Sequence, residues 1–253
     1  MKKLFISLGL CVCCSFLIAQ NTNPIQDAMV NYDYETALSL INQEEPTIPL
    51  LYQKGRALKG LGNNLEALEV FRKIVVQDSL NPRAYIEVAE CYKSLAKQNQ
   101  ALDYYQKALI LNPDNKYTRI QYINLLLNLQ KYQEALGESS LLTEKDSSAI
   151  ALHLQAQSFE GTNQPLPAAG CYSIIQEKYP DDFLSAAKLG SLFIGGKYYD
   201  EAIETTEKYR KIDSTNIAVN RMHINVATRH TSVPPNVIML ICLMEVPINF
   251  SGL

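Results

Sequence analysis

Residues 82–115 read PRAYIEVAECYKSLAKQNQALDYYQKALILNPDN, and the placing of two alanines in that stretch, Ala89 and Ala101, decides the fold. Ala101 opens the pattern Ala-x3-Tyr105, and Ala108 follows three residues on. In a helix those positions share one face, so a small contact residue is followed by a large one a turn later. Twelve residues before Ala101 stands Ala89, with Tyr92 three residues beyond it, which predicts a preceding helix with its own small-then-large face. Asn112-Pro113-Asp114-Asn115 closes the stretch. Proline stops the second helix, and the Asp and Asn side chains can cap the next one.

Outward from this stretch the alanine recurs. Ala67, Ala101, Ala135, Ala168 and Ala202 follow one another at spacings of 34, 34, 33 and 34. Seven residues after each comes Ile74, Ala108, Leu142, Ile175 or Tyr209. Gly55, Ala89, Ala156 and Gly190 each lie 12 residues before a repeat alanine, and Leu58, Tyr92, Phe159 and Phe193 follow them by three. Two helices of about a dozen residues with short turns use roughly 34 residues, so the spacing itself predicts stacked helix pairs. Tyr179-Pro180-Asp181-Asp182 ends a second pair as Asn112-Pro113 ends the first. Two stretches depart from the pattern. Ile123 stands where a small residue is usual and Ser139 where an aromatic one is, and Pro165-Leu166-Pro167 occupies a turn. Near the N-terminus Ala37 precedes Ala67 by only 30 residues.

On these residues the chain resembles the tetratricopeptide repeat family, best over 82–115 and recognisably over about 24–222. The resemblance implies an all-α fold, a right-handed superhelical solenoid of tetratricopeptide-type helix-turn-helix repeats. It divides the chain into an irregular capping helix pair at 20–47 and five repeats at 48–81, 82–115, 116–148, 149–182 and 183–216. The start of a sixth repeat follows, with an atypical tail, at 217–253. Each helix pair has an apolar face that only stacking can bury. In the resembled family the first helix of each repeat lines a concave groove that takes peptides or helices of partner proteins. Carried onto this sequence, the groove candidates are Tyr52, Arg56 and Lys59 in the first repeat and Arg83, Ile86, Glu90 and Lys93 in the second. Tyr117, Ile120, Asn124 and Asn128 follow in the third, and His153, Gln157 and Glu160 in the fourth. Family members that grip a C-terminal carboxylate use a Lys/Asn/Arg clamp. Here Tyr52 and Arg56 hold the first clamp positions and Glu87 stands where Asn belongs, so that clamp is not present as a pattern.

Composition narrows the function. The chain has 253 residues and a net charge of −3, which argues against a nucleic-acid partner that would require a concentrated basic surface. The three histidines, His153, His223 and His230, form no catalytic or metal-binding pattern. Cys91, Cys171 and Cys242 lack metal-site spacing, and Cys91 and Cys171 read as small buried apolar residues. No phosphate-loop, dinucleotide, zincin or serine-hydrolase motif is present. No catalytic residue, cofactor or metal is therefore expected, and the chain reads as a protein-binding scaffold. A structural subunit of an envelope complex that mainly self-associates is the alternative.

The two ends carry separate signals. Lys2 and Lys3, the uncharged run Leu4 to Ile18 and the small Ala19 match a secretory signal peptide at 1–19, cleaved near Ala19. Export to the periplasm or outer envelope is the expectation, with an uncleaved anchor as the alternative. The mature chain is expected to have no membrane span, since one requires roughly 20 apolar residues. At the other end the pattern breaks at Pro234-Pro235, and the apolar run Val237 to Val246 follows. Three readings stand there: a tail docked on the last repeat, a truncated or frame-shifted gene that replaces the missing repeats with unselected sequence, or a membrane-contact tail.

Overall fold

The computed structural model describes residues 23–213, 215 and 217–231. The signal-peptide segment and the tail from 232 onward lie outside them. The described residues form thirteen α-helices and no strand. The chain divides into two compact units, Met1–Asp114 and Asn115–Leu253. The first holds α1 (Pro24–Val30), α2 (Tyr34–Ile41), α3 (Ile48–Gly60), α4 (Asn64–Gln77), α5 (Pro82–Ser94) and α6 (Gln98–Leu111). The second holds α7 (Lys116–Asn128), α8 (Tyr132–Lys145), α9 (Ala149–Gly161), α10 (Pro165–Lys178), α11 (Phe183–Gly195), α12 (Tyr199–Ile212) and α13 (Ile217–Thr231). Within each unit every helix packs on its successor.

Odd- and even-numbered helices begin in different ways. From α3 to α11 each odd-numbered helix starts from a side-chain cap. Thr47, Asn81, Asn115, Ser148 and Asp182 each accept a hydrogen bond from the backbone N–H three residues on. This satisfies a donor that the first turn leaves unpaired. From α4 to α12 the even-numbered helices have no side-chain cap. They start from a three-residue turn whose middle residue has positive φ: Gly62 at 79°, Ala96 and Gln130 at 57°, Asn163 at 58° and Lys197 at 65°. The next N–H then reaches back to close the preceding helix, as in Asn63 to Leu58 O (2.9 Å) and Tyr198 to Phe193 O (2.8 Å). Tyr32, at 59°, makes the same turn between α1 and α2. Only one of these positions is glycine. A left-handed residue with a Cβ costs roughly 1–2 kcal/mol, so Ala96→Gly should stabilise the chain by about 1 kcal/mol in urea titration. Gly62→Ala should lose a similar amount; stability unchanged by both substitutions would contradict the turn geometry.

The recurring alanine is the fourth residue of every even-numbered helix, and Ala37, Ala67, Ala101, Ala135, Ala168 and Ala202 are all fully buried. Ala37 thus occupies the same helical position as the others despite its short spacing. α3 begins 14 residues after α2 begins, whereas α5 begins 18 after α4, and the difference of four is the difference between 30 and 34.

Each pair crosses at the eighth residue of its two helices: Gly55 with Phe71, Ala89 with Tyr105, Ile123 with Ser139, Ala156 with Tyr172 and Gly190 with Thr206. The first crossing shows why the odd-numbered side is small. A Cβ on Gly55 would lie 2.4 Å from the Phe71 ring. In the third crossing the sizes are exchanged, with Ile123 large, Ser139 small and both fully buried. That exchange is the physical reason both residues depart from the repeat pattern together. In the fifth crossing both residues are small, and α13 supplies the missing volume. Met222 Sδ lies 3.1 Å from the place of a Gly190 Cβ, and His223 Nδ1 is 2.9 Å from Thr206 Oγ1.

Candidate protein-binding surface

The odd-numbered helices carry the candidate residues, and neighbouring odd-numbered helices are tied together by two recurring contacts. The first joins the fifth residue of one helix to the N-cap of the next. The Tyr52 hydroxyl donates to Asn81 Oδ1 (3.1 Å), and His153 Nε2 lies 2.8 Å from Asp182 Oδ2. Burial pushes the Tyr52 hydroxyl up to about 12. For Asp182, burial alone would raise the carboxyl. The N–H of Ser185 and the His153 ring outweigh it and hold it below the ordinary range.

The second contact joins the twelfth residue of one helix to the sixth of the next. Lys59 Nζ meets Glu87 Oε2 at 2.8 Å, and Glu160 Oε2 meets Lys188 Nζ at 2.9 Å. The polarity is inverted between the two units. Half-buried pairs of this kind contribute about 1 kcal/mol or less. Reversing Lys59 to Glu alone should therefore lower stability measurably, and adding Glu87→Lys should restore most of the loss. A double variant no better than the worse single variant would show that the contact is incidental.

Several groove candidates are consequently engaged within the protein. Tyr52 is 8% exposed. Lys59, His153 and Glu160 are half-buried in the contacts above, and Tyr172 also donates to Glu160 Oε1 (2.9 Å). Glu90 is half-buried, accepting from the Tyr105 hydroxyl (2.5 Å) and pairing with Lys93 (3.0 Å). Ile86 and Ile120 are half-buried. On the first unit Arg56, Arg83 and Lys93 remain exposed, with the Arg83 guanidinium 4.5 Å from the Tyr52 ring. On the second unit Tyr117, Asn124, Asn128 and Gln157 are exposed.

Sequence reasoning missed several features. His153 has no acid at ligand spacing in sequence, yet Asp182 lies against it, 29 residues away. His223 and His230, seven residues apart, serve separate contacts: His223 is buried on Thr206, and His230 faces Asp200 at 3.4 Å. Ile150 and Leu184, at the second position of α9 and α11, are 58% and 57% exposed. Their signal was available, because Arg83 and Tyr117 hold the same position in α5 and α7. The second unit also has an apolar recess of about 490 Å³ where α10, α11 and α12 meet, walled by Leu166, Ala169, Leu192, Phe193 and Tyr198. No sequence pattern marks it, because its walls come from three helices.

Charge also separates by helix type. The odd-numbered helices hold ten Lys/Arg against four Asp/Glu, and the even-numbered helices eight against twelve. Among the described residues, no group of three or more His, Cys, Asp or Glu is placed to hold a metal. Among them too, no helix is long and apolar enough to cross a membrane. Cys91 and Cys171 are buried thiols outside any disulfide, and burial pushes that of Cys91 up to about 11.

A family profile described as a domain of unknown function, DUF7017, matches residues 50–165. No curated protein matches the sequence. Solved structures resemble it more widely. MamA from Desulfovibrio magneticus RS-1 is 16% identical with a TM-score of 0.60, over 67% of this chain and 96% of its own. YrrB, described as a TPR protein with an unusual peptide-binding site, is 16% identical with a TM-score of 0.61, over 72% and 95%. A tetratricopeptide repeat protein from Parabacteroides merdae is 17% identical with a TM-score of 0.60, over 87% and 88%. Helix pairs crossing at small residues, the buried alanine at one position of every second helix, and these structural relatives together establish that the chain has the tetratricopeptide-repeat fold.

Proposed function

We propose that the protein is a non-catalytic interaction scaffold of the cell envelope, which binds a peptide or helix of a partner protein on the surface of its odd-numbered helices. The observation that carries this reading is the apolar recess beside α11, where Leu166, 76% exposed, stands with Leu192, Phe193 and Tyr198. Large apolar side chains grouped at a recess are what a partner side chain fills. The peptide-binding site described for YrrB, on the same fold, supports the assignment. The envelope location rests on the N-terminal Lys2–Ala19 segment.

The test is in-cell photocrosslinking from Gln157 and Ser191, exposed on α9 and α11, with Lys107 on α6 as the control position. One discrete partner band from the first two sites and none from Lys107 is the expected result. Crosslinks only to further copies of this chain would replace the scaffold reading with self-assembly. Cell fractionation with intact mass tests export: a cytoplasmic chain that retains residues 1–19 would overturn it.

A further inference from the structure

We infer that the apolar recess of α10, α11 and α12 is occupied by the protein's own segment Val237–Val246, so that a partner reaches it only by displacing that segment; the consequence for a partner rests on the interaction reading above. The recess lies where α10 and α12 begin and α11 ends. One missing side chain sets this place apart from its counterparts in the other helix pairs. The residue that closes the C-terminus is Leu61 in α3, Leu95 in α5, Leu129 in α7 and Thr162 in α9, but Gly196 in α11. Leu95 packs onto the core of the first unit. Gly196 has no side chain to do the same, and Leu192, Phe193 and Tyr198 wall a hollow of about 490 Å³ beside it.

The described residues end beside this hollow. α13 packs on α12 and α11, and its last turn meets the start of α12. His230 faces Asp200 at 3.4 Å and stands edge-on to the Tyr199 ring, with ring centroids 6.1 Å apart. Tyr198 and Glu201, the residues flanking that contact in sequence, line the recess. After Thr231 the sequence reads Ser232-Val233-Pro234-Pro235-Asn236 and then VIMLICLMEV. The two prolines cannot continue α13. Five extended residues reach roughly 16 Å, more than the about 10–12 Å width of a helix, so the apolar run starts within reach of the recess. On so short a tether it meets the recess at an effective concentration on the order of 1 mM, which a free partner must overcome with tighter contacts. The run is too short to span a bilayer, which takes about 20 residues. Glu201 is the one charged residue of the lining, and the run's one charge, Glu245, stands near its far end.

The test uses the full chain, with Cys242 in the middle of the run as its probe. Leu166→Cys on α10 and Ser191→Cys on α11 place a second thiol at exposed positions of the recess, and Lys107→Cys on α6 is the control. A disulfide requires Cα atoms within about 7 Å, so mild oxidation of dilute protein traps only close pairs. Mass spectrometry of the digest should find Cys242 joined to the thiol at 166 or 191, within one chain, on the order of ten times more often than to that at 107. Leu240→Glu with Leu243→Glu should cut that yield about fivefold, because charged side chains resist an apolar site. Gly196→Leu, which supplies the missing side chain, should cut it as well. Equal trapping at 107, no trapping at either recess position, or a yield that neither variant lowers overturns the inference. Disulfides between two chains overturn it too, and make a second copy the occupant. In cells, the Leu240→Glu, Leu243→Glu protein should crosslink to its partner from Ser191 more strongly than the parent does, and equal crosslinking overturns the displacement. Trapping of Cys242 without a partner crosslink from either protein overturns the scaffold reading and leaves the segment in the recess.

Discussion

Ile123→Ala is expected to cost about 2–5 kcal/mol, as large-to-small changes in a closed core do. Ser139→Phe is expected to cost about 1–3 kcal/mol by overpacking the same site. Made together, the two should cost clearly less than their sum, because the double variant rebuilds the crossing found between Ala89 and Tyr105 and between Ala156 and Tyr172. Both positions are fully buried, so the new ring has nowhere to go unless Ile123 has shrunk. Ser158 is not orphaned by the change, because its hydroxyl still donates to Leu154 O at 2.8 Å. A double-mutant cycle in urea reads the coupling directly, and additive costs would mean that Ile123 and Ser139 do not share one space.

The second large effect concerns acid. His223 is 1% exposed, sits against Thr206, and keeps a buried Nε2 without a partner. Burial, aided by the charge of Arg210, pulls its pKa down to about 4 from the ordinary 6.5. The folded chain therefore keeps the ring neutral where the unfolded chain protonates it. Between pH 6.5 and 4 the unfolded state binds more protons, so stability is complete above the window and declines as the pH falls through it. The whole shift amounts to about 3 kcal/mol. Asp182 and Asp146 are held below the ordinary carboxyl range, so their contributions are lost only at lower pH. Hydrogen exchange of α12 and α13 at pH 7.5, 6 and 5 should show that loss, and His223→Gln should flatten it. The same slope in both proteins would show that the ring is not the titrating group.

The fold was legible because its period is carried by small residues in tight places. A buried alanine at the fourth position of each even-numbered helix tolerates little variation, and five of the six are spaced by nearly one repeat. The turns were less legible. A hydrogen-bond closure made by the backbone leaves Ala96, Gln130, Asn163 and Lys197 with nothing in common but φ. The surface was legible only in part. Arg56, Arg83, Tyr117 and Gln157 are exposed, but helical position says nothing of which side chains are already engaged. Tyr52 and His153 look available in sequence because their partners, Asn81 and Asp182, are caps of the next odd-numbered helix. A search for complementary residues 28 or 29 apart would have found these pairs, as well as Lys59 with Glu87 and Glu160 with Lys188.

The reversed polarity of those two ion pairs has a consequence for assembly. Helices built to one pattern are interchangeable in shape, and a chain made of them can join the wrong neighbours while it folds. Here the couplings are keyed. Were α11 to settle beside α3, Lys188 would face Lys59, and α5 beside α9 would set Glu87 against Glu160. Like charges brought together at a forming interface are repelled. Each helix therefore carries an address as well as a shape, and a gene rearrangement that shuffled these segments would preserve every buried alanine while misdirecting the order in which they stack.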